Sequence, residues 1–599
     1  MTTAGNGTTG GAAAPRTVRR LRPGVAVTPL RAGLHLRGRG GAVTLEGSTA
    51  LPALWQWLEE PLRGGGLEDL LDGTEPGSAL RGAVRTLLGQ LEAHDLLVAQ
   101  PEGYGDDGRA PVARWLAASA GRPAGAAAAL GATRAEVVAG APDGALARAA
   151  GRALELGGLP VGCTADPALP AGRVLLHAHG AGPPRAVAAG LSGGNGYATA
   201  PGSPAQARSD AAALEARLGP GEAAGPPALP SLLGGAAAHR LLCAAAGLAD
   251  PAGEGGDERL LPGLPAVLLA GSGPLRADYR TWLGPGRIDA DRRADLAPAD
   301  TLGEVLRRLA ALGDERCGAL PAPRATDLRQ LPVPLAACEL PGDGPAGGRL
   351  VAGAPRLDLA RLEVFCRAAE LLLGDGEFTV GANPGHAWGR ALRSAVSRSA
   401  VSRSAVSHRA VSRRAGAPGG DAPPLAAPRW SGHPQFRHWW TTLTARLEVP
   451  ARLEVRRAGP DEVYHAVVRR AGESPVLGEA VEATPGDAAA FAALAAVAEV
   501  SALSARGPGT GRTRPSGGAV APLAAAGART AGWEDAGWTD RWMADAAGRE
   551  EAFQDALSRL AGPAREAGTP APAGDRELPA LLRAFGFTVL HTLHTPEEP

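Results

Sequence analysis

The chain contains no lysine. Its 599 residues include one isoleucine (Ile288) and three asparagines, whereas alanine, glycine, proline and arginine are abundant. The absence of lysine excludes a phosphate-binding loop that places a lysine on the phosphates, and it excludes Schiff-base catalysis, which needs a lysine amine. The skew also weakens arguments from residue propensity, because Ala, Arg and Gly are frequent everywhere in the chain.

Cysteine is scarce as well. The five cysteines are Cys163, Cys243, Cys317, Cys338 and Cys366, and no two of them lie within four positions of each other. This spacing excludes a zinc half-site of the Cys-x-x-Cys type, and an odd, scattered set does not favour a disulfide framework. Buried, reduced thiols are therefore predicted.

An excess of charge of either sign is also missing, since 61 basic side chains are balanced by 61 acidic ones. This balance argues against a protein that binds nucleic acid or a membrane surface. No apolar run approaches the roughly 20 residues of a membrane span, and the first 15 residues lack the pattern of a signal peptide. A soluble, cytoplasmic protein is the resulting prediction.

A small α+β module is predicted for residues 17–100, after a disordered segment at residues 1–16. Short apolar runs broken by glycine and proline predict three antiparallel strands, and stripes of leucine at helical spacing then predict three helices. The strands are predicted at 25–28, 34–36 and 42–45, and the helices around 51–58, 67–71 and 80–91. Three strands and three helices of these lengths predict a winged-helix arrangement.

Two further regions complete the predicted α+β multidomain architecture. Residues 110–290 alternate strand and helix patterns, which predicts a degenerate Rossmann-like α/β domain. Residues 300–599 mix helices with strands and predict a C-terminal α/β domain. Within it, the Ser-Ala-Val-Ser-Arg repeat at 394–413 continues into a Gly/Pro-rich run, and we predict a flexible insertion at 394–428 because a five-residue period fits neither helix nor strand.

No motif in the chain predicts a catalytic or metal site. The turn from Gly140 to Gly144 follows a predicted strand as a nucleotide-binding turn would, but Pro142 removes a donor and Asp143 places negative charge where a phosphate would lie. His177 and His179 share one face of a strand, yet no third ligand is near them in sequence, so two polar side chains at a strand end are the simpler interpretation. We therefore predict no catalytic residue, no metal ligand and no cofactor.

Tryptophans are concentrated in the last third of the chain. Two interpretations stay open: a protein-binding surface, where tryptophan is enriched, or anchors of the last domain's core. The residues in question are Trp430, Trp439, Trp440, Trp533, Trp538 and Trp542.

The N-terminal module carries the strongest functional signal, because a three-stranded sheet has an edge at which an extended peptide can add as a fourth strand. The predicted third strand is short and flanked by glycine, and the third helix can line a groove beside it. Arg81 and Arg85 lie one turn apart on that helix and could pair with acidic peptide residues. The predicted peptide-binding residues are Ala42, Val43, Thr44, Leu45, Leu80, Arg81, Val84, Arg85, Leu87 and Leu88.

Residues 20–98 resemble the PqqD-like recognition element that binds leader peptides of ribosomally made, modified natural products. The resemblance lies in Leu21-Arg-Pro-Gly-Val25, the strands from Leu36 to Gly47, Leu67-Glu-Asp-Leu-Leu71 and the segment from Leu87 to Leu97. The segments 137–151 and 231–247 resemble a degenerate ThiF-type fold. Together they are similar to the ocin-ThiF-like, leader-binding partner proteins of azoline-forming clusters, especially those of thiopeptide type. Segments 331–334, 381–389 and 478–480 resemble a YcaO-type domain.

This resemblance implies a non-catalytic partner that holds the leader of a precursor peptide for a separate YcaO cyclodehydratase, which forms thiazolines or oxazolines. ATP and magnesium would belong to that enzyme. One alternative is that this chain is itself an ATP-dependent cyclodehydratase through its C-terminal domain, although the acids of such a site cannot be placed from sequence. Another is a winged-helix DNA-binding regulator, which the neutral charge opposes. Whether the C-terminal domain docks the enzyme or forms a homodimer stays open.

Overall fold

The computed structural model shows a mixed α/β protein with several separate sheets. It forms two compact units: unit 1 comprises Met1–Asp257 and Pro265–Arg280, and unit 2 comprises Glu258–Leu264 and Thr281–Pro599. The structure describes residues 16–104, 110–192, 194–219, 226–253, 257, 259–285, 295–325, 328–340, 348–374, 376–411, 423–472, 475–504, 517–526, 536–561 and 577–591.

Unit 1 begins with the three strands and three helices predicted from the sequence, framed by a strand pair that the sequence did not predict. The strands are β1 (Thr17–Leu21), β2 (Ala26–Leu30), β3 (Gly33–Arg37), β4 (Ala42–Glu46) and β5 (Leu97–Pro101), and the helices are α1 (Leu51–Gly64), α2 (Leu67–Asp72) and α3 (Ala79–Ala93). Strands β1 and β5 pair antiparallel, and β2-β3-β4 form a separate antiparallel sheet in that order.

Helix formation in this module follows its leucine stripes and its caps. Ser78 lies at the N-cap of α3, where its side chain accepts a hydrogen bond from the Arg81 backbone N–H. The apolar stripes of α1 and α3 are buried against Leu34 and Leu36 of β3, which are fully buried. The module therefore has a hydrophobic core of its own.

The rest of unit 1 is built on a seven-stranded sheet in the order β12-β11-β10-β9-β8-β6-β7. Its elements are α4 (Ala110–Ser119), α5 (Pro123–Gly131), β6 (Arg134–Ala139), α6 (Ala145–Leu156), β7 (Val161–Ala165), β8 (Arg173–His179), β9 (Arg185–Ser192), β10 (Asn195–Ala198), α7 (Pro204–Leu218), α8 (Ala228–Ala245), β11 (Ala266–Ser272) and β12 (Leu275–Thr281). Strands β6 and β7 are parallel and joined through α6, whereas β6–β8, β8–β9, β9–β10 and β10–β11 pair antiparallel.

This sheet corrects the Rossmann-like expectation in one respect. A doubly wound Rossmann fold needs a mostly parallel sheet with helical crossovers. Here one βαβ unit is followed by strands that reverse direction without an intervening helix from β8 to β10. The alternation of strand and helix patterns therefore predicts the β6–α6–β7 unit correctly but does not predict the antiparallel strands of the rest of the sheet.

Unit 2 combines three small sheets with a large helical core. Its elements are α9 (Leu302–Leu312), β13 (Leu335–Leu340), β14 (Gly348–Gly353), α10 (Leu357–Leu373), β15 (Phe378–Gly381), α11 (Pro384–Val411), α12 (Pro434–Thr441), β16 (Ala451–Arg457), β17 (Tyr464–Arg470), β18 (Val476–Glu482), α13 (Pro485–Ser504), α14 (Ala521–Ala525), α15 (Ala536–Ala561), α16 (Glu577–Ala584) and β19 (Thr588–His591). The sheets are β13-β14, β15-β19 and β16-β17-β18. The predicted pairing of the strands at 452–455 and 464–468 is present as β16–β17.

Helix α13 lies at the centre of unit 2. It packs so closely on β18 that a Cβ atom at Gly478 would lie 2.4 Å from the Ala492 carbonyl oxygen. Its segment Pro485–Leu503 is long and apolar enough to cross a membrane by composition, but 78% of that apolar window is buried inside the protein. Burial of this kind is typical of a core helix.

The Ser-Ala-Val-Ser-Arg repeat is helical as far as the structure describes it. Residues 394–411 form the second half of α11, although the five-residue period was expected to fit neither helix nor strand, and residues 412–422 lie outside the described residues. The flexibility of the insertion at 394–428 stays a prediction. The five-residue period gives no continuous apolar stripe, but Ala, Ser, Val and Arg contain no helix breaker. In the part of α11 whose side chains the structure describes, Leu392 and Val396 are buried.

Candidate functional site

Strand β4 forms one edge of the three-stranded sheet, since β3 is its neighbour on one side in the described residues. Hydrogen bonds from Gly38 N–H to the Gly41 carbonyl and from Gly47 N–H to the Ala32 carbonyl flank the β3–β4 ladder. Because hydrogen-bonded pairs alternate along an antiparallel ladder, the backbone groups of Ala42, Thr44 and Glu46 point away from β3. These outward N–H and C=O groups can accept an added strand.

The opposite edge of the same sheet, strand β2, is less suited to strand addition. Pro29 is paired with Leu34, and the alternation set by the β3–β4 ladder turns the Pro29 nitrogen outward. Proline has no N–H to donate, which is why it is tolerated on the outer side of an edge strand. The two edges therefore differ, and β4 is the one with a complete outward set of donors.

The predicted peptide-binding residues fall into two groups. On β4, Ala42 and Thr44 are exposed, whereas Val43 and Leu45 are half-buried against the module's core. Thr44 also hydrogen-bonds across the sheet to His35 (Oγ1–Nδ1 2.8 Å).

On α3 the structure divides the predicted residues more sharply. Val84, Leu87 and Leu88 are buried in the core and do not line a surface, which corrects their expected position in the groove. Leu80 is 44% exposed, and Arg81 is engaged through an Nη1 hydrogen bond to the Thr74 carbonyl (3.0 Å). Arg85 is exposed.

The turn between β6 and α6 is tightly packed at Gly140. A Cβ atom there would lie 2.2 Å from the Leu169 carbonyl oxygen, because the loop after β7 crosses the turn. The Asp166 N–H donates to the Ala139 carbonyl and fixes that loop in place. Glycine at position 140 is therefore required by packing against backbone.

His177 and His179 acquire a neighbour that sequence spacing did not reveal. Glu136 of β6 is paired with His177 of β8, and its Oε2 lies 4.0 Å from His177 Nδ1 and 3.6 Å from His179 Nε2. Thr164 of β7 donates to the other carboxylate oxygen, Glu136 Oε1 (2.6 Å). Glu136 is more than 40 residues from the two histidines in sequence, but the fold brings it beside them, so the expectation that no third ligand is near them is wrong.

Two effects set the charge states in this cluster. Burial, together with the charge of Arg208 on α7, lowers the pKa of His177. The Thr164 hydrogen bond lowers the pKa of Glu136, so the carboxylate is ionised at neutral pH. A neutral imidazole beside a carboxylate is the result.

Unit 2 contains a buried network of carboxylates and arginines on and around α11. Arg390 binds Glu363 (2.7 Å) and Glu370 (3.0 Å), and all three side chains are at most 8% exposed. Both acids lie on α10, seven residues apart, and Arg390 comes from α11, so the sequence did not show that the three side chains meet.

The second half of the network is centred on Arg393. Its guanidinium binds Glu482 (3.0 Å) and Glu550 (2.7 Å), and the Gly518 N–H also donates to Glu482. Each arginine thus lies between two carboxylates.

The pKa of Glu482 is raised to about 7 by burial, because one Arg393 guanidinium cannot fully compensate two buried carboxylates. Folded unit 2 therefore retains a proton on Glu482 that the unfolded chain, with a glutamate pKa near ~4.3, releases. The stability from this proton is complete below the unfolded pKa and is lost as the pH rises through the folded pKa. The contribution of Glu482 to the free energy of unfolding should therefore fall by about 3 kcal/mol between pH ~4.3 and pH ~8.

Chemical denaturation at several pH values, followed by tryptophan fluorescence, measures this slope. The matched control is Glu482→Gln, which keeps the shape and removes the titration, and it should flatten the profile. An equal slope in both proteins would contradict the assignment to Glu482.

The tryptophans of unit 2 are core anchors where the structure describes their side chains. Trp439 and Trp542 are buried, and Trp430 and Trp440 pack against the same core. Trp542 donates to Asp487 (2.8 Å), so its polar edge is also satisfied. The side chains of Trp533 and Trp538 lie outside the described residues.

Comparison with known proteins yields matches among solved structures alone. No protein-family model matches the chain, and no curated protein does. A heterocyclase in complex with substrate and cofactor is 13% identical, with 82% of each chain covered and a TM-score of 0.43. The heterocyclase TruD is 12% identical, with 96% of this chain and 94% of that chain covered and a TM-score of 0.38. TM-scores below 0.5 do not establish a common fold, so the proposals below depend on this chain's own residues.

Proposed function

We propose that this protein is a non-catalytic partner that binds the leader segment of a ribosomal precursor peptide. It would recruit that peptide to a separate YcaO cyclodehydratase, which forms thiazolines or oxazolines in a thiopeptide-like pathway. ATP and magnesium would act on the enzyme and not on this chain. The proposal unites the resemblance of residues 20–98 to a leader-binding module with the geometry of one strand edge.

The observation that carries the proposal is the edge of β4. Three residues, Ala42, Thr44 and Glu46, direct their backbone groups outward, and no proline interrupts them. An extended peptide that pairs there gains main-chain hydrogen bonds, and in this proposal the exposed Leu80 and Arg85 of α3 contact its side chains. Tethering of the leader would raise the local concentration of the modified segment at the enzyme.

Two further observations support a role without catalysis. The Leu169 backbone packs against Gly140 in the turn that follows β6. Glu363, Glu370, Glu482 and Glu550, which are buried acids of unit 2, are paired with Arg390 or Arg393.

Strand addition predicts a specific defect for Thr44→Pro. Proline removes the outward N–H of residue 44 but leaves the β3–β4 hydrogen bonds, which use the neighbouring residues, in place. Loss of the main-chain hydrogen bond from the Thr44 N–H to the peptide should weaken leader binding by about tenfold, or ~1.4 kcal/mol. Fluorescence anisotropy of the full chain with a labelled synthetic peptide, the leader encoded beside its gene, measures the affinity.

The matched control is Thr44→Ala, which removes the hydroxyl and keeps the N–H. It should bind within about twofold of the wild type, since exposed substitutions of this kind change little. If the proline variant binds the leader as tightly as the wild type and its melting temperature is unchanged, the β4 edge is excluded as the peptide-binding site. Absence of micromolar binding by the wild type would exclude leader recognition itself.

The enzymatic alternative is tested independently of peptide binding. Release of phosphate from ATP by the purified chain with precursor peptide, and no other protein, would establish a cyclodehydratase activity. We expect no turnover above that of a sample without precursor. DNA binding, the other alternative, would be recognised by a steep loss of affinity with salt, and we expect none.

A further inference from the structure

The cluster of Glu136, His177 and His179 differs from an ordinary polar patch in the hydrogen bonding of its nitrogen atoms. The ligand atoms of Glu136, His177 and His179 all lie within 4.8 Å of one another. The Nε2 atoms of His177 and His179 are both buried and have no hydrogen-bond partner among the described residues. Buried polar atoms are normally satisfied, so two unpartnered nitrogens on imidazole rings that lie beside one carboxylate need an explanation.

The strand geometry explains why these three side chains meet. His177 and His179 are two residues apart on β8 and so share one face of the sheet. Glu136 lies directly opposite His177 on the adjacent strand β6 and therefore points to the same face. The other face of these strands packs against α6 and α8, which leaves the cluster outside the main core of unit 1.

The distances suit a metal ion after a small movement of side chains. Ligand atoms around one tetrahedral zinc ion lie about 3.3 Å apart, since the bonds are roughly 2.0–2.1 Å long. The carboxylate oxygen of Glu136 is 3.6 Å and 4.0 Å from the nearer imidazole nitrogens. Either imidazole nitrogen, Nδ1 or Nε2, can ligate a metal ion.

The carboxylate is also held as a ligand would be. Thr164 fixes Glu136 Oε1, which leaves Oε2 directed at the two imidazoles. Hydrogen bonds of this outer kind orient metal ligands and raise affinity. Gly162, opposite Glu136 on β7, has open space where a side chain would lie, so the cluster is reachable from solvent.

We propose that Glu136, His177 and His179 form a binding site for one divalent ion of the zinc class. Two imidazoles and a carboxylate favour Zn²⁺ or Co²⁺ over Mg²⁺, which prefers oxygen ligands. Three protein ligands leave a coordination position for water or another small donor. The nearby Arg208 charge opposes an ion, and the Glu136 carboxylate offsets it. The site is separate from the β4 edge and does not depend on peptide binding.

Titration of the full chain, stripped of metal by a chelator, with Co²⁺ tests the proposal. One equivalent should bind, with visible absorption bands of a four- or five-coordinate ion, and Zn²⁺ but not Mg²⁺ should displace it. His177→Ala/His179→Ala should weaken binding by at least about 100-fold, and Thr164→Val by about tenfold, because it keeps all three ligands but loses the orienting bond.

Two controls keep the result interpretable. His94→Ala removes an exposed histidine at the end of α3 and should bind Co²⁺ like the wild type. Glu136→Gln keeps the side-chain shape and should lose affinity while the melting temperature without metal is retained. Binding that is equal in the wild type and the double-histidine variant, or well below one equivalent in the wild type, would overturn the proposal.

Discussion

Replacement of Arg393 by alanine is expected to lower the free energy of unfolding of unit 2 by about 3–5 kcal/mol. The guanidinium is 7% exposed and binds both Glu482 and Glu550, so its removal strands two carboxylates in the core. It also lies over the Phe553 ring, 4.9 Å from the centroid, and that contact would be lost too. Urea denaturation followed by tryptophan fluorescence measures the change, since most tryptophans lie in unit 2.

The matched control lies on the same helix. Arg398 is exposed on α11 and hydrogen-bonds to Ser394, and Arg398→Ala should change stability by less than about 0.5 kcal/mol. The triple variant Arg393→Met/Glu482→Gln/Glu550→Gln should recover much of the loss, because it removes the stranded charge together with the arginine. Comparable losses for Arg393→Ala and Arg398→Ala would show that the network contributes little.

Leu87→Asp is expected to unfold the N-terminal module and thereby abolish peptide binding. Leu87 is 3% exposed in the cluster that includes Leu34 and Leu36, and an aspartate there combines the loss of about 2–5 kcal/mol of packing with a buried charge. A small module has little stability to spare. Hydrogen exchange over residues 17–100 of the full chain measures the unfolding directly.

Leu80→Asp separates loss of the fold from loss of the peptide site. Leu80 lies on the same helix but is 44% exposed, so the charge is accepted without unfolding. Leader affinity should fall several-fold while hydrogen exchange of the module stays as in the wild type. Unfolding of the module by Leu80→Asp would contradict the placement of Leu80 on the surface of α3. Unchanged hydrogen exchange in Leu87→Asp would contradict the placement of Leu87 in the core.

The local elements of the chain could be predicted where a single periodicity dominates. The leucine stripe of α3, its Ser78 cap and the glycine breaks around β4 are all within a few residues of each other, so they act before any distant contact forms. Strand β1 was not predicted, because it is stabilised by pairing with β5 at the opposite end of the module's sequence. The helical repeat in α11 was missed because a five-residue period has no constant face, although no residue in it opposes a helix.

Candidate side chains were harder to place than elements, for the same physical reason. Sequence spacing named Leu80 together with Val84, Leu87 and Leu88 and could not show that the first is exposed and the others turn inward, since every position of an apolar stripe looks alike. It also named His177 and His179 without Glu136, because strand pairing across β6 and β8 brings that carboxylate from a distant part of the chain.

The sequence by itself determined what this protein lacks and where its small N-terminal module lies. The absence of lysine rules out two kinds of chemistry in any fold, and leucine periodicity specifies three helices beside three strands. The tertiary structure alone decided which sheet edge has a full set of outward N–H donors and why the Leu169 backbone requires glycine at position 140. It also decided how Arg393 meets glutamates 89 and 157 residues away. Those outcomes depend on strand register and on burial, which are properties of the folded chain and not of any segment.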